Sequence, residues 1–192
     1  CRANGCRLIG PNCVGIQNTE IGMNASFIQE PLPGNISMVS QSGSFGCAVI
    51  DGMRWNNIGL SKFANIGNAA DISFDEIVHY FGEDTDTKVI SIYSEAIQEG
   101  KQFYRELQEI CPKKPVVVLK GGRTSAGMAA AGSHTGSIAS NYRILKTAVE
   151  QAGGIMCEKM EDYITALKTF SFLPLPRGTK IGVLTNSGGA GV

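Results

Sequence analysis

From residue 35 onward the chain alternates short apolar runs with longer stretches whose apolar residues recur every three or four positions. The runs cover residues 36–39, 60–64, 89–93, 115–119 and 155–157. Short, near-continuous apolar segments like these predict strands buried on both faces. Between them, Phe45, Val49 and Gly52 with Met53 share one helical face, and Phe74, Ile77, Val78 and Phe81 share another. Phe103, Leu107 and Ile110 form a third stripe; Ile138, Tyr142, Leu145, Val149 and Ala152 form a fourth; residues 162–172 predict a last helix. Strands alternating with helices mean βαβ units and a parallel sheet covered on both sides. The expectation is an α/β fold: a flavodoxin-like doubly wound parallel sheet over residues 33–175, flanked by truncated pieces of neighbouring α/β domains.

The flanks read differently. Residues 7–9 (Arg-Leu-Ile) look like a strand that ends in Gly10-Pro11-Asn12, which is turn chemistry. No dinucleotide fingerprint precedes it, so residues 1–32 are expected to be the tail of a preceding domain. The Pro/Gly clusters at 31–34 and 174–178 read as linkers. Residues 181–184 predict another strand, and the Gly-rich run after it should lead into a helix. Residues 176–192 are therefore expected to open a further domain, in a fragment of a longer polypeptide.

Composition narrows the function classes. The 192 residues carry 17 Lys+Arg against 17 Asp+Glu and no net charge, which removes the field a general nucleic-acid or anionic-membrane binder uses. No apolar stretch approaches a membrane span and no signal peptide is apparent. The six cysteines (Cys1, Cys6, Cys13, Cys47, Cys111, Cys157) show no CxxC pair and no His partners. They read as reduced thiols of a cytoplasmic protein, not a disulfide or zinc framework.

Candidate chemistry concentrates in three places. His134 sits in Gly-Ser-His-Thr-Gly (132–136), where small and hydroxylated neighbours allow close approach of a charged group and offer donors to an anion. It is a candidate nucleophile. The competing reading, a helix start capped by Ser133 or Thr135 with an incidental histidine, is equally open on spacing alone. Residues 40–44 (Ser-Gln-Ser-Gly-Ser) place Ser42, Gly43 and Ser44 at a helix N-terminus, where unpaired N–H groups attract an anion; plain capping by Ser42 uses the same donors. A nucleophile elbow is excluded because Ser40 stands where Gly-x-Ser-x-Gly needs its first glycine. Glu95 closes an apolar strand, where a carboxylate is costly without a partner; it could fix a histidine tautomer, or be an ordinary loop glutamate. His79 lies off its helix's apolar stripe and reads as a surface residue. The acidic stretch 83–86 reads as a solvated loop, and no metal site is expected.

Gly10-Pro11-Asn12-Cys13, Ser40-Gln41-Ser42-Gly43, Ile66-Gly67-Asn68, Tyr93-Ser94-Glu95 and Ser133-His134-Thr135-Gly136-Ser137 occur in that order. Together they resemble the NDP-forming acyl-CoA synthetases, which include the ADP-forming acetyl-CoA synthetases and, more distantly, the succinyl-CoA synthetase alpha subunit. The resemblance implies a CoA-binding Rossmann domain ending in residues 1–32, two flavodoxin-like domains (33–175, and a second beginning at 176) and an ATP-grasp domain or subunit. It implies that acyl-CoA and phosphate give an acyl phosphate, which phosphorylates His134, and that the phosphohistidine then phosphorylates ADP. CoA and ADP/ATP with Mg2+ are the implied cofactors of the parent enzyme, and oligomeric assembly is expected. Glu95 is implied to orient His134, and Ser42, Gly43, Ser44, Gly67 and Asn68 to hold phosphate. Asn12 and Cys47 fall on the substrate and CoA side, and residues 186–189 are implied to begin a second phosphate-binding helix. Succinyl-CoA synthetases carry a tyrosine where this chain has Cys47, which argues against succinate. The alternatives are the regulatory core of a protein lysine acetyltransferase and a non-catalytic ligand-binding module.

Overall fold

The computed structural model describes residues 2–122 and 141–190. Its strands are β1 (Gly15–Asn18), β2 (Met23–Ser26), β3 (Pro33–Ser40), β4 (Leu60–Asn65), β5 (Val89–Ser94), β6 (Val116–Lys120) and β7 (Ile155–Cys157). The helices among these residues are α1 (Gly43–Trp55), α2 (Phe74–Glu83), α3 (Gly100–Ile110), α4 (Tyr142–Gln151) and α5 (Met160–Phe172). One seven-stranded sheet runs β2-β1-β4-β3-β5-β6-β7. The pairs from β4 through β7 are all parallel. Counted from β3, that segment has strand order 2-1-3-4-5, the flavodoxin-like order.

Burial explains the pattern. Along β3, Ile36 and Met38 pack with Val49, Ile50 and Met53 of α1 and with Tyr163 and Leu167 of α5. On the other face Val39, Ile90 and Ile92 pack with the apolar stripes of α2, α3 and α4. Every residue of β4 and β6 is buried, so these strands show no polar alternation. The enclosed hydroxyls of Ser91 and Tyr163 partner each other, 2.5 Å apart in the core.

The sheet is mixed, and this departs from the sequence expectation. β1 pairs antiparallel with β4, and β2 antiparallel with β1. Each has four residues and they are mostly polar, so neither carries a strand-like apolar pattern. Residues 7–9 are not a strand. Leu8, Gly10 and Pro11 instead accept single backbone bonds from Ile72, Ala70 and Asn68, all in a loop. Arg7 pins that segment through Asp71 (3.1 Å) and Glu76 (2.8 Å). Residues 181–184 are not a strand either: they are exposed, and no described strand lies beside them to supply a ladder.

The acidic stretch is tied to a buried cation. Lys62, buried in β4, donates to Glu20 of the β1–β2 turn (3.1 Å) and to Asp84 (2.8 Å). Burial pushes the Asp84 carboxyl up, but the bonds from Lys62 and Thr87 and the Lys62 charge outweigh it and leave the group below its ordinary value. The bond from Ser61, then that from Lys62, likewise lower Glu20, while the exposed Asp86 beside Glu20 is raised by their shared hydrogen bond. Glu20, Asp84 and Asp86 lie close enough to bracket a cation, and the Lys62 ammonium already supplies that charge. Lys62→Met should therefore cost about 2 kcal/mol at neutral pH by stranding the partly buried Asp84. Because the Asp84 contribution is present above its unfolded pKa of 3.8 and lost as pH falls through the lower folded value, the gap should narrow below about pH 4. Urea unfolding of both proteins across that range checks it; a pH-independent gap refutes it.

Candidate functional site

The helices after β3 and β5 leave on opposite faces of the sheet: α1 packs on the Met38 face and α3 on the Ile92 face. The two strands are neighbours, so their carboxyl ends open into a cleft, the usual ligand position in an open α/β sheet. The cleft measures about 290 Å³. Asn12, Cys13 and Val14 form one wall; residues 41–44 form the floor at the α1 N-terminus. Asn65, Gly67 and Asn68 bring in the end of β4, Glu95 the end of β5, and Phe27 stands at the lip.

Local chemistry fixes each wall. Ser42 caps α1, its hydroxyl accepting from the Phe45 N–H at 3.3 Å, and lies 3.3 Å from the Ser44 hydroxyl. The N–H groups of Gly43 and Ser44 precede the first intrahelical bond and point out of the helix end. A Cβ on Gly43 would sit 2.5 Å from Val14, so only glycine lets the Val14 wall close on the helix. Gly67 has φ +51°, and a Cβ there would collide with the carbonyl oxygens of Pro11 and Asn12. Asn68 donates its N–H to Pro11 at 3.0 Å and accepts from the Asn12 amide at 3.2 Å. Gly10–Pro11 is cis and Asn12 has φ 57°, completing the bend that presents the Asn12 side chain.

Three side chains that the sequence reading did not single out as site residues hold this arrangement. Asn65, fully buried, donates to Ser40 O (2.7 Å) and accepts from the Val14 N–H (2.7 Å), joining the Val14 wall to β3. Gln41 accepts the N–H groups of Glu95 (2.8 Å) and Ala96 (2.9 Å) on one oxygen. Lys120, at the end of β6, donates to the carbonyls of Glu95 (2.8 Å) and Gly121 (2.9 Å). Burial holds the Lys120 pKa below the usual lysine value, with the Glu95 charge opposing the shift. Burial, with the Glu95 charge adding, pushes Tyr93 up to about 12, and its ring stacks on Phe45 at 3.6 Å. Among the described lining residues Glu95 is the one charged group, so an anion here meets neutral donors.

Of the residues picked out from sequence, Asn12, Ser42, Gly43, Ser44, Gly67, Asn68 and Glu95 line this one cleft. Cys47 does not. It faces a separate depression of about 170 Å³ with Ile28, Gln29 and Asp51, and burial, then the Asp51 charge, raises its thiol pKa. Cys47 lies three residues beyond Ser44, about 4.5 Å further along the helix axis and so away from the N-terminal end that floors the cleft. His134 and its loop lie outside the described residues.

Residues 33–170 match the succinyl-CoA ligase like flavodoxin domain family. The chain belongs to this family. Over 188 residues it is 38% identical to the alpha subunit of ADP-forming acetate–CoA ligase II of Pyrococcus furiosus, covering 98% of this chain and 41% of that one. The ADP-forming acetate–CoA ligase of Methanocaldococcus jannaschii is 42% identical over 187 residues, covering 97% of this chain and 26% of that one. A solved structure of dinucleotide forming acetyl-coenzyme A synthetase 1 from Ca. Korarchaeum cryptofilum, in complex with phosphate and ADP, superposes with a TM-score of 0.92 at 38% identity. It covers 99% of this chain and 42% of that one. The chain thus spans less than half the length of each of these relatives. Within the succinyl-CoA ligase like fold, the glycine at 67 is a test of the cleft's construction. Gly67→Ala should lower stability by about 2 kcal/mol through its positive φ and the carbonyl collisions. Gly100→Ala, where a Cβ meets nothing within 4 Å, should change it by less than about 0.5 kcal/mol. Equal urea midpoints for the two variants contradict this account.

Proposed function

We propose that this chain is part of an ADP-forming acyl-CoA ligase that interconverts acyl-CoA, phosphate and ADP with carboxylic acid, CoA and ATP through a phosphohistidine at His134. One observation carries the reading: Asn12, the α1 N-terminus, the Gly67–Asn68 turn and Glu95, scattered over more than 80 positions, line a single cleft at the point where the strand order reverses.

In the proposed reaction a phosphate oxygen attacks the thioester carbonyl and the CoA thiolate leaves, giving an acyl phosphate. The His134 imidazole attacks phosphorus and the carboxylate leaves. A terminal oxygen of ADP then takes the phosphoryl group from the imidazole. Ser42, Gly43 and Ser44 offer the transferred group hydroxyl and N–H donors, and the helix dipole adds to them. Gly43 and Gly67 keep the cleft free of side chains where that group approaches. Asn12 and Asn68 present amides to the phosphate and acyl end. The role assigned to Glu95 is to fix the His134 tautomer and balance the positive charge that develops on the ring. Lacking any cationic lining side chain among the described residues, the cleft fits a phosphoryl group in transit; Mg2+ and ADP are assigned to an ATP-grasp domain or subunit, and CoA to a separate CoA-binding domain.

Among the described residues no helix is long and apolar enough to cross a membrane. Cys6, Cys13, Cys47, Cys111 and Cys157 are free thiols, which supports the proposed cytoplasmic setting.

Full-length enzyme incubated with γ-labelled ATP and Mg2+ should take up an acid-labile, base-stable label that ADP discharges. His134→Asn should abolish the label while leaving ATP binding intact. No label on a wild-type enzyme that binds ATP overturns the reading. Glu95→Gln should retain the labelled site but slow label transfer about 100-fold, the scale expected when a reacting group loses its alignment; wild-type kinetics would remove Glu95 from the mechanism.

A further inference from the structure

The main chain of Glu95 is held from both sides by buried side chains on the two neighbouring strands. Gln41, just past the end of β3, accepts its N–H, and Lys120, at the end of β6, donates to its carbonyl. Gln41 is 6% exposed and Lys120 2% exposed. The Gln41 oxygen takes the Ala96 N–H as well, and the Gln41 N–H returns to the Tyr93 carbonyl at 3.0 Å, so the brace spans the whole bend.

A lysine at this position is costly. Lys120 ends the apolar run Val116–Lys120, and an aliphatic side chain could have closed the strand without removing an ammonium from water. The two bonds to it recorded here go to main-chain carbonyls, those of Glu95 and Gly121. Of these two residues, Glu95 lines the cleft. The Glu95 charge opposes the lowering of the Lys120 pKa that burial causes. The brace therefore fixes Glu95 in position and sets a positive charge behind a wall that has none facing the cleft among the described residues. The Lys62 cluster, the other buried lysine among the described residues, serves no comparable end: its partners are acidic side chains remote from the cleft.

We propose that Lys120 and Gln41 are positioning residues for Glu95: Gln41 fixes the main-chain N–H, and Lys120 fixes the carbonyl while setting its charge beside the carboxylate. This rests on the phosphohistidine reading, in which Glu95 aligns His134. The consequence is that Lys120, which does not line the cleft, controls phosphoryl transfer without touching substrate, while Gln41 does so from the cleft floor.

The test is a double-mutant cycle on the ligase holoenzyme, read as the rate at which ADP discharges the labelled enzyme. Lys120→Met should slow discharge about 30-fold, with KM for acyl-CoA within about 2-fold of wild type. Placed in Glu95→Gln, the same change should slow it by less than about 3-fold, because the group it positions is already disabled. Lys120→Arg, which keeps the charge and donors, should recover much of the rate. Gln41→Leu should follow the same non-additive pattern, so a misfolded Lys120→Met, seen by circular dichroism, leaves the other arm to decide. Additive losses, or unchanged rates in Lys120→Met and Gln41→Leu, overturn the proposal while leaving a labelled wild type and the phosphohistidine reading intact. A wild type that takes no label overturns both.

Discussion

The carboxyl edge of β3 and β5 imposes the constraint from which the rest follows. Two adjacent parallel strands send their helices to opposite faces, so neither helix can cover the gap between them. The exposed main chain at that gap still needs hydrogen-bond partners. At the ends of β3, β4 and β6, Ser40, Gln41, Asn65 and Lys120 supply them from buried positions. Side-chain hydrogen bonds to the main chain thus frame the cleft, which helps it stay open beside two apolar layers.

The β1–β2 hairpin belongs to the same design. It closes the β4 edge of the sheet and delivers Val14 and Phe27 to the cleft. A polar hairpin has little apolar area with which to hold itself down, so its attachment relies on ionic and amide contacts. The Lys62–Glu20 pair fixes one end; Gln17, 3% exposed and donating to Ser26 at 2.9 Å, fixes the middle. Arg7 with Asp71 and Glu76 ties the preceding segment to the start of α2. Being half exposed, the Arg7 network contributes register more than stability.

Legibility in the sequence followed burial. The five parallel strands and their helices bury whole faces, and that leaves short apolar runs and a 3.6-residue period in the chain. β1 and β2 are short, polar and on the edge, so nothing in their composition separated them from loop. Residues 7–9 and 181–184 have strand-like composition but lack a neighbouring strand, and composition cannot register an absent neighbour. In the site, glycines and hydroxyls in short motifs were legible because their chemistry is local. Gln41 and Lys120 act through the main chain of Glu95, more than 20 positions away in each case, and that coupling exists only in three dimensions. One signal was available: Lys120 closes an apolar strand as Glu95 does, so the argument that singled out the carboxylate applied equally to the ammonium. Cys47 failed for the opposite reason, since proximity in sequence to Ser44 hid a displacement along the helix axis, away from the N-terminus that floors the cleft.

The charge distribution of the cleft bears on what kind of transfer it can support. An exposed helix N-terminus is worth about 0.3–1 kcal/mol to an anion, and about 2 kcal/mol when partly buried. With neutral hydroxyls and amides added, that would orient the phosphoryl group of the proposed reaction without holding it as an arginine fork would. A group that must arrive on one substrate and leave on another is served by such a grip, because tight ground-state binding would raise the barrier to departure. The positive charge of Lys120 sits one layer behind, hydrogen-bonded to main chain, where it acts on Glu95 instead of competing for the anion. A lysine pointing directly into the cleft would trap the group it was meant to pass on. Separating orientation from charge is therefore the property that distinguishes this cleft from a static phosphate-binding pocket.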